Sequence, residues 1–166
     1  AISHFRTIAD STDLPLIVFQ YPLGGGLGHT METLLRLCEE IPTIVAIKDW
    51  CNDGMLHEKH IRVLRNLPRP VSVLTTHSAW LMSSLVMGCD GLLSGAGSVI
   101  ADLQVELWLA VQSKDLSRAQ EINERIYPMI QAFYAPPFLD MHNRMKEVAV
   151  LLGRLPKAVV RPPLCK

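Results

Sequence analysis

Lys48 closes an apolar run, Ile44-Val45-Ala46-Ile47, and is followed at once by Asp49 and Trp50. The run reads as a strand buried on both faces, so its last residue sets an amine at the mouth of a buried element. Lysine is among the residues least often buried, and withdrawal from water disfavours the ammonium and lowers its pKa. A neutral amine is what attack on a substrate carbonyl to form a Schiff base requires. The plain alternative is a lysine that snorkels into water beside Asp49 as the strand ends.

Three other apolar runs also end on residues with chemistry. Phe19-Gln20-Tyr21-Pro22 closes the first, Thr75-Thr76-His77-Ser78 the third, and Ser94-Gly95-Ala96-Gly97-Ser98 follows the fourth. With Lys48 and Asp49 they supply an amine, a phenol, several hydroxyls and backbone amides, a set suited to a small polar substrate bearing a carboxylate. His77 with Ser78 could orient a substrate hydroxyl, and Ser78 is also placed to cap a helix. Gly24-Gly25-Gly26-Leu27-Gly28 lacks the Gly-Lys-Ser/Thr of a phosphate loop and reads as a flexible connection. His57 and His60, in "HEKH", do not have the zinc-protease spacing, and a solvent-facing surface with one packed histidine is expected there.

The elements that carry these residues repeat. Leu16 to Phe19, Ile44 to Ile47, Val71 to Leu74 and Gly91 to Leu93 are short and β-rich, and each precedes a helical pattern. Thr30 can cap a helix with Met31, Leu34, Leu35 and Cys38 at the 3.6-residue period. Leu56, His60, Val63, Leu64 and Leu67 repeat that period up to Pro68 and Pro70. Leu81, Leu85 and Val86 do so up to Gly88, and Ile100, Leu103, Leu107 and Val111 form the fourth pattern. Strand starts at 16, 44, 71 and 91 lie 28, 27 and 20 residues apart, the spacing of βα units that build a parallel sheet. The fold class is therefore α/β. After residue 114 only helical patterns follow, around Ile122, Ile126 and Ile130 and then Met145, Val148 and Leu152, with Gly153 as a C-terminal stop. Four parallel strands make either an open sheet or half of an eight-stranded barrel whose edges need covering.

Composition narrows the function classes. The 166 residues are 49% hydrophobic and carry 16 basic against 16 acidic side chains. That suits a globular chain with a sizeable core and gives no electrostatic footprint for nucleic acid or an anionic membrane. Cys38, Cys51, Cys89 and Cys165 have no CxxC spacing, so reduced thiols are expected, with neither a disulfide nor zinc. No apolar run reaches about 18 residues and no leader pattern opens the chain, so a cytoplasmic protein is expected. Ala1 is not a methionine, and Ile2 to Ala9 looks like the tail of a helix, as in a piece of a longer protein.

The stretches "LPLIVFQYP", "IPTIVAIKDW", "GCDGLLSGAGSV" and "VVRPPL", in this order, resemble the second half of the class I aldolase-type lyases that include dihydrodipicolinate synthase and N-acetylneuraminate lyase. The lysine strand is the strongest element, and the "KEVAVLLG" helix around Lys146 supports it. The resemblance implies the second half of a TIM (β/α)8 barrel, with strands 5 to 8 in residues 1–114 and a C-terminal helical region in 115–166. It implies a homo-oligomer, commonly a tetramer, that lacks here the N-terminal half of its barrel. It also implies that Lys48 condenses with a 2-oxo acid such as pyruvate, the iminium serving as electron sink for a lyase, synthase or dehydratase without any cofactor.

The pattern also departs from that family. Its proton-relaying tyrosine aligns with Phe19, which cannot move protons. Tyr21, two residues on and so on the same strand face, is the expected substitute relay; the plain alternative is a tyrosine that packs at the barrel rim. Phe19, Leu93 and Ser94 would line the pocket. Where dihydrodipicolinate synthases carry an arginine for the second substrate's carboxylate, this chain has Gly24-Gly25-Gly26, which speaks against classical dihydrodipicolinate synthesis. The rival readings are a non-catalytic family member serving as a ligand-binding or assembly module, and an unrelated open α/β domain with a structural Lys48.

Overall fold

The computed structural model describes residues 1–164, so Cys165 lies outside the described residues. Four strands form one sheet in chain order: β1 (Leu16–Gln20), β2 (Ile44–Asp49), β3 (Ser72–Thr75) and β4 (Gly91–Leu92). Every pairing is parallel. Parallel neighbours need a crossover, and each crossover holds a helix: α2 (Met31–Glu40), α3 (Gly54–Arg65) and α4 (Leu81–Met87). A further helix, α1 (Ile2–Asp10), precedes β1 where the opening residues read as helical. Thr30 caps α2 as its sequence predicts, its hydroxyl accepting the Thr33 N–H at 3.2 Å. Asp53 does the same for α3, its carboxylate accepting the Leu56 N–H at 2.9 Å.

Strand alternation gives the sheet two different faces. Val18, Ile47 and Val73 adjoin in register on one of them and are nearly inaccessible, as are Leu34 and Leu37 of α2 and Ile61 and Leu64 of α3. Each such side chain removed from water contributes about 1.5–3 kcal/mol. One layer further on, the same face carries three buried polar residues in register, Gln20, Asp49 and Thr75. On the opposite face Phe19, Lys48 and Leu74 adjoin and are half-buried, and Ile17 is 47% exposed. Within β2, Ala46 on the face of Lys48 and Ile47 on the helix side are both buried, and Lys48 itself is half-buried, in keeping with the burial on both faces that the apolar run suggests.

The chain forms two compact units. The first comprises Ala1–His77 with Ser83–Leu93 and contains the sheet. The second comprises Ser78–Met82 with the chain from Ser94 onward. In the second, α5 (Gly97–Gln112), α6 (Leu116–Phe133) and α7 (Met141–Leu151) pack pairwise around Leu107, Ile122, Ile130 and Phe133. Asp115 caps α6 through the Arg118 N–H at 2.9 Å. Gly153, at φ 70°, takes the left-handed conformation just past α7, and its N–H reaches the Val150 carbonyl at 2.9 Å. Among the described residues no helix is long and apolar enough to cross a membrane.

Candidate active site

Lys48 stands at the carboxyl end of β2, paired in register with Phe19 of β1. Its Nζ lies 4.3 Å from the centroid of the Phe19 ring. Burial against this apolar wall lowers the Lys48 pKa from its ordinary value, the direction that yields a nucleophilic amine. The Phe19 and Tyr21 rings are 4.3 Å apart, and the Trp50 ring meets Tyr21 edge-on at 5.3 Å. Lys48, Phe19 and Tyr21 are therefore brought together as the alternation of β1 predicts, and Trp50, which the sequence reading did not single out, joins them.

The loop that carries Tyr21 is tied at its base. The Gln20 side chain donates to the His29 carbonyl at 2.8 Å and accepts the His29 N–H at 2.9 Å, so both ends of the 21–28 segment are fixed to one buried side chain. Within it Leu23–Gly25 makes a 3-10 turn, and Gly26 at φ 72° provides the left-handed residue that ends the turn. A Cβ on Gly28 would stand 2.4 Å from the Tyr21 carbonyl oxygen, a clash that only glycine avoids. The glycine-rich segment is a closed loop that holds a phenol.

The next two strand ends use the same device. Asp49 faces away from Lys48 and is buried. Its Oδ1 accepts the Cys51 N–H at 2.9 Å, and its Oδ2 accepts from His57 Nδ1 at 2.8 Å and His60 Nδ1 at 2.7 Å. Burial pushes the Asp49 carboxyl pKa upward, but the hydrogen bonds and charge interactions of His57 and His60 outweigh it and hold the group well below the usual carboxylate range. This corrects the expected solvent-facing surface with one packed histidine: both histidines are buried, because an ionised carboxylate on the helix side of β2 needs donors. Thr75 donates to the Ser84 hydroxyl at 2.9 Å, and His77 Nε2 meets Asn52 Oδ1 at 2.7 Å, linking the loops that follow β2 and β3.

Asp49, Cys51 and His57 also place an oxygen, a sulfur and a nitrogen within 4.8 Å of one another, a donor set of the kind transition metals take. Here the carboxylate oxygens already accept N–H groups, and burial, then Asp49, push the Cys51 thiol up to about 12. In this arrangement the thiol keeps its proton and the carboxylate oxygens are taken up by N–H donors.

Leu93 follows β4 and donates its N–H to the Thr75 carbonyl at 2.9 Å. Its side chain is exposed. Ser94 belongs to the second unit, where its hydroxyl pairs with Ser78 at 2.8 Å and accepts from the Gln104 amide at 3.1 Å. Ser78 in turn meets the Tyr134 hydroxyl at 2.8 Å, so the oxygen expected to cap a helix is engaged by two other hydroxyls. The one signal of the Asp49 network legible in the chain was a carboxylate at a strand end followed by two histidines one helical turn apart, one of them on the apolar period.

The comparisons with known proteins agree with this layout. The sequence-family model described as the dihydrodipicolinate synthetase family matches residues 1–166. The chain is 30% identical over 161 residues to the 4-hydroxy-tetrahydrodipicolinate synthase of Oceanobacillus iheyensis, covering 97% of this chain and 52% of that protein. It is 29% identical over 161 residues to the synthase of the same name from Symbiobacterium thermophilum, with the same coverage. Among solved structures, YagE, a prophage protein of the dihydrodipicolinic acid synthase family from E. coli K12 in complex with pyruvate, superposes with a TM-score of 0.86 at 26% identity, over 99% of this chain and 54% of that one. The Aquifex aeolicus dihydrodipicolinate synthase shares the fold at a TM-score of 0.84 and 23% identity, again over 99% and 54%. The chain spans about half the length of the curated relatives it matches, and its α/β fold, a four-stranded parallel sheet with its helices, corresponds to about half of their barrel. On the match of the family model over its whole length, this chain belongs to the dihydrodipicolinate synthetase family.

Proposed function

We propose that this chain carries the nucleophile of a Schiff-base-forming lyase acting on a 2-oxo acid such as pyruvate, and that Lys48 is that nucleophile. The observation that carries the reading is a single amine at a strand end whose pKa is lowered by burial against Phe19. YagE, a relative of the same fold, was solved with pyruvate, which supports that choice of substrate. The neutral Nζ adds to the C2 carbonyl, the carbonyl oxygen leaves as water, and the iminium withdraws electrons from C3. Loss of a C3 proton, or cleavage of the C3–C4 bond, then gives an enamine.

Tyr21 supplies the phenol that Phe19 cannot, and carries protons to and from the reacting atoms. Phe19 and Leu93 line the approach. No cofactor is called for, because the lysine adduct itself is the electron sink. The proposal extends to a homo-oligomer, a tetramer by family resemblance, to residues outside this chain completing the barrel, and to a cytoplasmic setting, which suits the free, buried thiols of Cys38, Cys51 and Cys89.

Borohydride reduction of the full-length protein in the presence of pyruvate tests the reading. The expected result is a reduced adduct mapped by mass spectrometry to Lys48 and absent from Lys48→Ala. A protein that gains no mass, or gains it on another lysine, is not this enzyme.

A further inference from the structure

We infer that Gln20 is a positioning residue for the proton relay, holding the Tyr21 phenol in place through the backbone of His29; this assignment rests on the Schiff-base reading above, with Tyr21 as its relay. The segment from Tyr21 to Gly28 has no packing of its own. None of its residues is buried, Leu23 and Leu27 are exposed, and a Cβ added at Gly24, Gly25 or Gly26 would meet nothing within 4 Å. Four glycines in these eight residues leave the free backbone many conformations. The order of the segment must therefore come from its ends.

Gln20 holds both ends. Its side chain is fully buried on the helix side of β1, beside Asp49 in register. The amide donates to the His29 carbonyl at 2.8 Å and accepts the N–H of the same residue at 2.9 Å, so one side chain satisfies both backbone groups of His29. His29 is itself anchored: it adjoins Thr30, the cap of α2, and its ring meets Phe5 of α1 edge-on at 5.8 Å. The Gln20 backbone carbonyl accepts the Trp50 N–H at 2.9 Å, and the Trp50 ring abuts Tyr21. Gln20 thus fixes Tyr21 along the chain and also fixes the backbone of the residue whose ring supports it. An amide is needed for this clamp, because it offers a donor and an acceptor side by side, whereas a carboxylate only accepts and a thioether is a weak acceptor. A reacting group must be held within about 0.5 Å and 10–20° of its productive geometry. The phenol oxygen is the far tip of its side chain, so a small tilt where Tyr21 leaves β1 exceeds that tolerance.

The proton step that Tyr21 serves needs no second substrate. In the pyruvate iminium a C3–H bond breaks, its electron pair forms the C2–C3 double bond of the enamine, and the C2–N π pair returns to nitrogen. The proton leaves through the Tyr21 oxygen to solvent, and in deuterium oxide the reverse step returns a deuteron to C3.

The test follows deuterium entry into the pyruvate methyl group by NMR with the full-length protein, beside borohydride trapping on Lys48. Gln20→Met is expected to slow exchange at least about tenfold while the trapping rate stays within about twofold. In a Tyr21→Phe background the same substitution is expected to change exchange by less than about twofold, because its effect runs through the phenol. A merely structural role would lower exchange equally in both backgrounds. Gln20→Glu, which keeps the volume and the acceptor for the His29 N–H, is expected to show the same pattern at smaller amplitude, and it carries the cycle alone should Gln20→Met fail to fold. Equal losses in the two backgrounds, or exchange that neither variant slows, overturns the assignment and leaves the Schiff-base reading standing. Failure of that reading looks different. No adduct on wild-type Lys48 overturns the Schiff base, an adduct whose exchange is unchanged in Tyr21→Phe overturns the relay, and either takes the assignment with it.

Discussion

Asp49 Oδ2 accepts the Nδ1–H of His60 at 2.7 Å, and the same oxygen accepts that of His57 at 2.8 Å. One carboxylate oxygen on the helix side of β2 thus fastens α3 through two imidazoles, one residue away from the amine that faces the other side of the strand. The Nε2 atoms of both rings are buried and have no hydrogen-bond partner among the described residues, so the network trades two orphan nitrogens for a compensated charge.

Removing the carboxylate strands both donors. Asp49→Ala is expected to cost about 1–3 kcal/mol for each of the two buried donors it leaves unsatisfied, read as a lower urea midpoint at pH 7. Since the folded-state pKa of Asp49 is depressed, its contribution is fully present above the unfolded carboxylate value of 3.8. It is lost as pH falls from there through the folded value. The stability gap between wild type and Asp49→Ala is therefore expected to narrow below about pH 4, and a gap that stays constant there would contradict an ionised Asp49.

Imine formation is expected to accelerate with rising pH through the Lys48 pKa, because only the neutral amine attacks. Burial places that midpoint below the ordinary lysine value of 10.5. Trapping rates with pyruvate and borohydride across the alkaline range measure it, and a midpoint at or above 10.5 would mean that the Phe19 wall does not desolvate the amine.

Tyr21→Phe is expected to leave the protein folded and able to form the adduct, but to slow the overall reaction about 10²-fold, the low end of what a positioned acid-base group contributes. Phe19→Tyr in that background restores a phenol one strand step closer to the lysine and is expected to recover part of the loss. Unchanged turnover in Tyr21→Phe would remove the phenol from the mechanism.

Gly28→Ala drives a Cβ to within 2.4 Å of the Tyr21 carbonyl oxygen, so the base of the loop must shift. The expected penalty is about 1–3 kcal/mol, as for other overpacking changes, together with a turnover defect like that of Tyr21→Phe. Gly24→Ala, whose added Cβ meets nothing within 4 Å, serves as the control in thermal denaturation.

The chain itself settled the repeat of strand and helix, the parallel sheet and the family, because apolar periodicity and the order of a few motifs are local properties. It likewise marked Lys48, since an amine closing an apolar run is visible without coordinates, and it placed Tyr21 on the face of Phe19 through the two-residue repeat of a strand. What only the packed structure decided was which neighbours each strand end acquires. His57 and His60 read as a solvent-facing surface with one packed histidine because nothing in their spacing announces Asp49, which lies 8 and 11 positions earlier and reaches them only once α3 folds back over β2. Ser78 reads as a helix cap until Ser94 and Tyr134 come within hydrogen-bond distance from 16 and 56 positions away. Trp50 becomes part of the lysine's surroundings only through its edge contact with Tyr21 on the adjacent strand's loop. Hydrophobic periodicity fixes which elements form. The partners of a buried charge or a hydroxyl are set by register and crossover between distant segments, and a linear pattern does not encode that distance.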